Sequence, residues 1–407
     1  MNDVRPAPAP TLPAPWFTEE RHALLVQARA FAHDEVLPLA NELDRLRADI
    51  PESFLDRMAE LGYFGILVGP EHGGMGLGAF EYCMVSEELA RGWMSVASVI
   101  ARAQGMATGI GSPDKQRSLL ERSARGRWIC AVGLSEPESG SDLASVATTA
   151  ELVDGQWEIS GSKRWTGLAK AADCIQVLCR VRPTEAGESR SAGLGMIVVE
   201  KERGEFPAGI TGTPIEKVGY HGFTTWELTL DRVRVPHENL LGLSQLSVAG
   251  EGTTTFKAVQ SGLNLARVHT AARAVGLARA AVEDSTIYLQ ERRQFDRPIG
   301  DFQALRFRLA TMAAKVEQAR AFYRQVAALV DTGVPCDREA AMVKLVATEM
   351  AVEVTNDAMQ LHGGNGYTTE RQVERYWRDA RLTTIFEGTS EIQQRIISER
   401  LLGKVAR

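Results

Sequence analysis

The spacing of apolar residues changes twice along the chain, and this constrains the fold more than any other feature of the sequence. From about residue 19 apolar residues recur every three or four positions, as in amphipathic helices. From about 129 they stand in short runs rich in Val, Ile and aromatic residues, which predict strands. From about 252 the helical period returns in long segments. The sequence therefore predicts an α+β multidomain protein with a helical N-terminal domain (1–128), a middle β domain (129–245) and a helical C-terminal domain (246–407).

Local signals mark where individual elements begin and end. Thr18 precedes two acidic residues and a helical pattern, and is predicted to be an N-cap. The glycine-rich segment 73–78 separates two helices, and Asp154-Gly155 between two apolar runs predicts a β-hairpin. The two longest helical patterns span 256–292 and 302–330.

Composition and charge exclude several classes of protein. With 407 residues, 44% apolar and 24% charged, the chain has the composition of a globular protein. Its net charge of −6 and the lack of a basic stripe argue against a nucleic-acid partner. No apolar run reaches the roughly 20 residues that span a bilayer, so no membrane partner is expected.

The cysteines and the first residues bear on the compartment. The five cysteines are Cys83, Cys130, Cys174, Cys179 and Cys336. They form no CxxC pair, so we expect buried, reduced thiols and neither disulfides nor a metal site. The Pro- and Ala-rich residues 1–16 lack the apolar core of a signal peptide and are expected to be a flexible leader. A cytoplasmic protein is therefore predicted.

Common catalytic motifs are absent, and glycine-rich turns are the remaining candidates. The sequence has no P-loop, no GxGxxG after a strand, no HExxH and no GxSxG elbow. Four Gly- or Ser-rich segments stand at element ends: 133–142, 161–167, 361–368 and 385–393. The backbone N–H groups of such turns can cradle phosphates or a planar cofactor.

In combination and in order, several segments resemble the acyl-CoA dehydrogenase family of flavoproteins. They are LGYFGILVGPEHGGMGL, SEPESGSD, KRWTG, DRVRVP, ERRQFDRPIGDFQ, LHGGNGYTTE and RDARLTTIFEGTSEIQ. The resemblance covers nearly the whole chain. It implies a β-barrel-like middle domain, a C-terminal four-helix bundle, and FAD bound between these two domains. It also implies an acyl-CoA substrate, an electron-transfer flavoprotein as partner, and a homotetramer (a dimer of dimers) in which a neighbouring subunit completes each flavin site.

The resemblance also implies a catalytic base, Glu387, in IFEGTSEIQ. The α-proton of a thioester is weakly acidic, so a carboxylate must remove it while a hydride leaves Cβ. Burial beside an acyl chain is expected to raise the pKa of this carboxyl. The tight turn at Gly388 can present a backbone N–H to the thioester oxygen. One branch of the family places its base on a helix, and the matching residue here is Ala266, which carries no carboxylate.

Other binding residues are implied by the same motifs. The implied flavin contacts are Leu134, Ser135, Ser141, Trp165, Thr166, Arg292, Phe295, Gln303, Gln360, Gly363, Gly364, Thr389 and Glu391. The implied substrate contacts are Ser141, Asn264, Arg267 and Gly388. For Arg267 an ordinary buried ion pair stays open as an alternative, as does core packing for Phe295 and Gln303.

The sequence departs from the family pattern at four positions. Gly167 stands where the family has a Thr or Ser that contacts the flavin, so this hydroxyl is absent or displaced to Thr166. Asn264 replaces an Asp, and Asp296 replaces a Gly. Arg102 lies where relatives shape the acyl pocket, and could pair with a carboxylate on the acyl chain. Alternatively, it extends to solvent or to a CoA phosphate.

These features predict FAD-dependent α,β-dehydrogenation of an acyl-CoA. The alternative is a dehydrogenase or oxidase that acts on a carrier-protein-bound or polar acyl group in secondary metabolism. A catalytically inactive scaffold would have lost Glu387, which is retained.

Overall fold

The structure is a computed structural model that describes residues 15–242 and 253–403. Most of the proposed leader lies outside these residues. The N-terminal part is helical, with α1 Glu19–Phe31, α2 Leu37–Leu46, α3 Glu52–Glu60, α4 Ala79–Gly92, α5 Met94–Val99 and α6 Pro113–Ala124. The N-cap prediction is confirmed, because the Thr18 hydroxyl accepts a hydrogen bond from the backbone N–H of Arg21 at 3.1 Å.

A curled, seven-stranded mixed sheet forms the middle part. Its strands are β1 Cys130–Gly133, β2 Thr149–Val153, β3 Gln156–Gly167, β4 Cys174–Arg180, β5 Leu194–Glu200, β6 Ile210–Ile215 and β7 Thr225–Pro236. β4 pairs with β5 and with β1, and the sheet continues from β4 through β2, β3 and β7 to β6. The predicted hairpin at Asp154-Gly155 is confirmed, since both residues have positive φ and Val153 pairs with Gln156.

Long helices make up the C-terminal part. They are α7 Thr253–Glu291, α8 Gln303–Asp331, α9 Asp337–His362, α10 Val373–Thr383 and α11 Ser390–Leu402. A two-residue hairpin, β8 Arg293–Gln294 and β9 Arg297–Pro298, connects α7 to α8. α7, α8 and α9 pack on one another, and α10 lies against α7 and α9 as the fourth member of the predicted bundle. The predicted order of helices, sheet and helices is therefore confirmed.

The two helical parts share one hydrophobic core. Buried side chains of α4 and α5, such as Phe80 and Val96, belong to the same cluster as Val275 of α7 and Tyr323 of α8. The sheet has its own core, which includes Ile159 and Val177. Since burial of apolar surface is the main favourable contribution to folding, the helical segments stabilise each other across the intervening sheet sequence.

One loop of the sheet region, residues 217–223, is held between the two helical parts. The backbone N–H of Tyr220 donates to Asp379 of α10 at 2.6 Å, and His221 Nδ1 lies 3.0 Å from Asp44 Oδ1 of α2. Asp44 also pairs with Arg378 at 2.5 Å. This loop therefore fixes the sheet against both groups of helices.

The structure also bears on the predicted state of the cysteines and on the question of membrane-spanning helices. All five cysteines are buried and unpaired, as predicted. Among residues 15–242 and 253–403, none of the helices is both long and apolar enough to cross a membrane.

Candidate active site

Glu387 lies in a tight turn between α10 and α11. Its φ is 55°, and Gly388 follows with a φ of 87°, so two consecutive residues are in the left-handed region. A Cβ at position 388 would lie 2.6 Å from Gln393 Nε2, which explains the glycine. Thr389 then caps α11, its hydroxyl accepting from the Ile392 N–H at 3.3 Å. A left-handed glutamate is uncommon and indicates that its surroundings hold it in place.

Two side chains hold this turn through its carbonyl groups. Lys344 of α9 is fully buried and donates from Nζ to the Gly388 carbonyl at 2.7 Å. Gln393 of α11, also fully buried, donates to the same carbonyl at 2.8 Å and to the Glu387 carbonyl at 3.4 Å. The position of the Glu387 main chain is therefore set by two helices.

The Glu387 carboxylate lies in the electrostatic field of two cationic side chains. Arg267 of α7 is buried, which lowers its pKa, while Asp337 and Glu387 act in the opposite direction. Burial likewise lowers the pKa of Lys344 to about 8, against the effect of Glu387. Arg267 donates to Asn264 Oδ1 at 2.7 Å, and among the described residues it forms no ion pair of the kind considered from the sequence.

The turn SEPESGSD and the strand KRWTG are joined by a buried ion pair. Lys163 Nζ lies 2.7 Å from Glu136 Oε1, and Glu136 also accepts from the backbone N–H groups of Ala147 and Thr148. Although burial acts to raise it, these hydrogen bonds lower the pKa of Glu136. The Ser135 carbonyl accepts from the Arg164 N–H at 2.8 Å. The predicted flavin contacts after β1 and at the end of β3 are therefore brought together.

The end of β3 departs from regular pairing next to Trp165. The register with β7 shifts between Lys163 and Thr166, and Trp165 has a φ of 65° with 57% of its surface exposed. Thr166 is fully buried, and its hydroxyl has no hydrogen-bond partner among the described residues. Thr166 therefore carries a buried hydroxyl without a partner among the described residues, one position before the place where the family has its Thr or Ser.

The remaining implied contacts fall into two groups. Thr389 and Glu391 line a cavity of about 340 Å³ at the N-terminus of α11, together with Arg381 and Ile385. The other group is exposed on the surface and consists of Ser141, Arg292, Phe295, Gln303, Gln360, Gly363 and Gly364. Within residues 15–242 and 253–403, no hydrogen bond or ion pair connects this exposed group to the Glu387 turn.

The sequence reasoning missed three buried polar residues around the turn: Lys344, Gln393 and Arg273. Lys344 interrupts an apolar helix face, since it lies among Ala340, Ala347 and Ala351, all fully buried. A charged residue at a core position of an otherwise apolar period is the signal that could have identified Lys344.

The residues present fit a flavin. The exposed Trp165 ring offers an apolar surface for a planar group, and the buried Thr166 hydroxyl lacks the partner that a flavin heteroatom would supply. Cβ atoms built at Gly363 and Gly364 would meet nothing within 4 Å, which leaves room for close approach to their backbone.

A helix–sheet–helix chain with a turn-borne carboxylate and these flavin-compatible groups belongs to the flavin-dependent dehydrogenases. Models of the acyl-CoA dehydrogenase N-terminal, middle and C-terminal domains match residues 18–127, 131–233 and 255–402. The chain therefore belongs to the acyl-CoA dehydrogenase family, whose members are FAD-containing oxidoreductases that act on CH–CH bonds.

Three relatives illustrate the similarity. Benzylmalonyl-CoA dehydrogenase of Aromatoleum aromaticum is 36% identical, covering 94% of this chain and 98% of the relative. A chain in a solved structure described as the electron transferring flavoprotein of Acidaminococcus fermentans is 33% identical, with a TM-score of 0.86 and coverage of 95% and 99%. Glutaryl-CoA dehydrogenase of Mycobacterium smegmatis in complex with FADH2 is 25% identical, with a TM-score of 0.85 and coverage of 96% of each chain.

Proposed function

We propose that this protein is an acyl-CoA dehydrogenase in which Glu387 removes the α-proton of an acyl thioester. The observation that carries the proposal is the Glu387 turn, which a buried lysine and a buried glutamine hold in a left-handed conformation. The rival position for the base, Ala266, has no ionisable group.

The chain's own groups supply the parts that proton abstraction needs. The Glu387 carboxylate takes the α-proton, and negative charge then develops on the thioester oxygen. A backbone N–H of the same turn, at Glu387 or Gly388, is available to that oxygen as a hydrogen-bond donor. Arg267 and Lys344 add positive charge close to the reacting groups. Bound FAD would supply the acceptor for the hydride that leaves Cβ.

The residues that would hold FAD come from the middle sheet, the C-terminal helices and a second subunit. The isoalloxazine ring of FAD would be contacted by Leu134, Ser135, Trp165 and Thr166. The dinucleotide part would lie against Thr389 and Glu391. The exposed set at 292–303 and 360–364 would serve a flavin of the neighbouring subunit. This arrangement requires at least a second subunit, and we propose the homotetramer that the family resemblance implies.

The proposal also covers the protein that accepts the electrons and the cellular compartment of the enzyme. Electrons would pass to an electron-transfer flavoprotein, which is the protein named for one of the similar solved chains. Five unpaired cysteines suit a reducing compartment such as the cytoplasm. The thioester and its CoA would be bound by Ser141, Asn264, Arg267 and Gly388.

Replacement of the base tests the mechanism. Glu387→Gln keeps the shape of the side chain but cannot accept a proton. We expect FAD content and thioester binding to be retained, while anaerobic flavin reduction slows by roughly 10²–10⁴-fold. Stopped-flow absorbance with a panel of acyl-CoA and acyl-carrier-protein thioesters measures this rate and shows which carrier is used.

Glu399→Gln on α11 is the matched control, because it makes the same chemical change on a residue whose side chain pairs with Arg395 of the same helix. This variant should reduce at the wild-type rate. Near wild-type reduction by Glu387→Gln would show that another group takes the proton.

A further inference from the structure

A buried guanidinium without a carboxylate partner lies next to the catalytic turn. Arg273 of α7 is 2% exposed, and its Nη1 and Nη2 donate to Ser98 Oγ at 2.6 Å and to Thr270 Oγ1 at 2.8 Å. Its Nε is buried and has no partner, and in the described part of the chain no carboxylate oxygen lies within 4 Å of it. Burying an unpaired charge is costly, so folded proteins rarely keep one without a purpose.

The position of Arg273 places it in the catalytic centre. Its guanidinium lies 4.9 Å from the ring centroid of Phe386, the residue directly before Glu387. Ser98, which accepts its hydrogen bond, belongs to α5 and itself donates to the Met94 carbonyl at 2.7 Å. Arg273 and Glu387 both act electrostatically on Tyr82 and Tyr220. The guanidinium and the proposed base therefore share one set of neighbours.

A second arginine adds to this charge. Arg102 is half-buried and has no hydrogen bond or ion pair within residues 15–242 and 253–403. It acts on Tyr82, Tyr220 and His269, as Arg273 does. Two cations thus face one cluster of neutral aromatic side chains.

A neutral histidine lies beside these two cations and adds no charge to the cluster. His269 is fully buried and stacks on Tyr82 with ring centroids 4.5 Å apart. Burial, together with Arg273 and Arg102, lowers the pKa of His269 well below its usual range, so the ring is neutral. Its Nε2 is buried and has no partner among the described residues. Unsatisfied polar atoms on two neighbouring side chains indicate that a polar ligand completes the cluster.

We propose that Arg273 and Arg102 form an anion subsite beside the Glu387 turn, and that the acyl group of the substrate carries a carboxylate. A carboxylate would supply the missing counter-charge and can accept two parallel hydrogen bonds from one guanidinium. The inference rests on the proposed function, because it assigns the acyl group of the same thioester.

A matched series of thioesters tests the subsite. Glutaryl-CoA and adipyl-CoA are compared with pentanoyl-CoA and hexanoyl-CoA, which have the same numbers of carbon atoms and no second carboxylate. Anaerobic flavin reduction and equilibrium dissociation constants are measured for the wild type, Arg273→Met, Arg273→Lys and Arg102→Met. Arg117→Met, an exposed arginine of α6, is the matched control.

We expect the wild type to prefer the diacid of one pair by roughly 10- to 100-fold in rate over dissociation constant. Arg273→Met and Arg102→Met should each remove most of this preference, which is measured as the ratio between the two thioesters of one pair. Arg273→Lys should restore part of it, and Arg117→Met should leave it unchanged. Thermal unfolding of each variant shows that it is folded.

Three outcomes separate the anion subsite from its alternatives and from the proposed reaction. If the neutral thioester is preferred and both methionine variants keep that preference, the arginines are structural. If Arg102→Met raises the dissociation constants of both thioesters of a pair equally, that arginine binds the CoA phosphates and is not part of the subsite. If no thioester reduces the flavin but Arg273 still makes glutaryl-CoA bind more tightly, the subsite stands and the proposed reaction is wrong.

Discussion

At the scale of single residues, a buried ammonium group positions the turn that carries Glu387. Lys344 of α9 is fully buried and donates to the Gly388 carbonyl at 2.7 Å. Desolvation lowers the pKa of Lys344 to about 8, although Glu387 and Glu349 counteract this effect. Its charge is therefore lost within an experimentally accessible pH range.

Removing this ammonium group should affect the chemical step. Lys344→Met fills the same space but leaves the Gly388 carbonyl with one donor fewer. We expect flavin reduction to slow by roughly 10- to 100-fold, as for a displaced catalytic group, with FAD content unchanged. The wild-type rate should also change near pH 8, where Lys344 loses its proton, and this inflection should be missing in the variant.

The pH dependence of the free energy of unfolding provides a second test of the lowered pKa of Lys344. A lysine with a lowered pKa in the folded state binds fewer protons there than in the unfolded chain. The wild type should therefore gain stability as pH rises from about 8 to the unfolded lysine value of about 10.4, and Lys344→Met should show less of this gain. Lys315→Met, on the exposed face of α8, is the control. An unchanged pH profile of reduction in Lys344→Met would contradict the positioning role.

At the scale of elements, buried charges join α4 to α7 and α8. Glu87 lies 2.8 Å from Arg279 Nη1 and 3.0 Å from Arg320 Nε, and also accepts from the Tyr323 hydroxyl. Glu88 pairs with Arg279 at 2.5 Å. Burial acts to raise the pKa of Glu87, but Arg320 and Arg279 outweigh it and lower the pKa to about 2. The network fixes how the N-terminal helices meet the C-terminal bundle.

Breaking this network should destabilise the protein. Glu87→Gln leaves two buried guanidinium groups without their shared counter-charge, and we expect a loss of about 3–5 kcal/mol in the free energy of unfolding. Because the folded pKa is lowered, the stabilisation by Glu87 is present above about pH 4.3 and is lost as pH falls towards 2. Urea denaturation across this range, at one protein concentration, measures both effects.

Glu317→Gln is the matched control for Glu87→Gln. Glu317 pairs with the same Arg320 but is exposed, so its replacement should cost no more than about 1 kcal/mol. Equal losses for the two variants would show that burial of the charge is not the source of the stability.

At the scale of the whole molecule, the single chain exposes a hairpin tip that a soluble monomer would be expected to cover. Phe295 lies between β8 and β9 with 85% of its surface exposed, and its ring packs edge-on against Phe302 at 5.9 Å. Phe295 and Asp296 both have positive φ, as in a tight two-residue hairpin. Such a tip is suited to reach the flavin site of a neighbouring subunit.

Assembly and cofactor retention should therefore depend on this tip. Light scattering of the wild type should give the mass of four 44.5 kDa chains. Phe295→Ser should lower the FAD content per chain and shift the mass towards smaller species, because the neighbour loses an apolar contact. Leu152→Ser, another exposed apolar residue on β2, should change neither quantity. Full FAD content and an unchanged mass in Phe295→Ser would contradict the role of the tip.

The secondary-structure elements and the motif residues could be predicted from the sequence. The helical period, the Asp154-Gly155 hairpin and the Thr18 cap each depend on interactions between residues close together in the chain, and these local preferences survive in the fold. The motif around Glu387 was recognisable because its residue types and order, and not their contacts, identify the family.

The surroundings of Glu387 could not be predicted from the sequence, because they depend on contacts between distant parts of the chain. Lys344 of α9 lies 43 positions before Glu387, Arg273 lies on α7 and Ser98 on α5, and each of the three is buried. The sequence shows such residues but not their partners, because the partners are set by the packing of distant helices into one core. The burial that lowers the pKa of Lys344 and leaves Arg273 without a counter-charge arises from that packing.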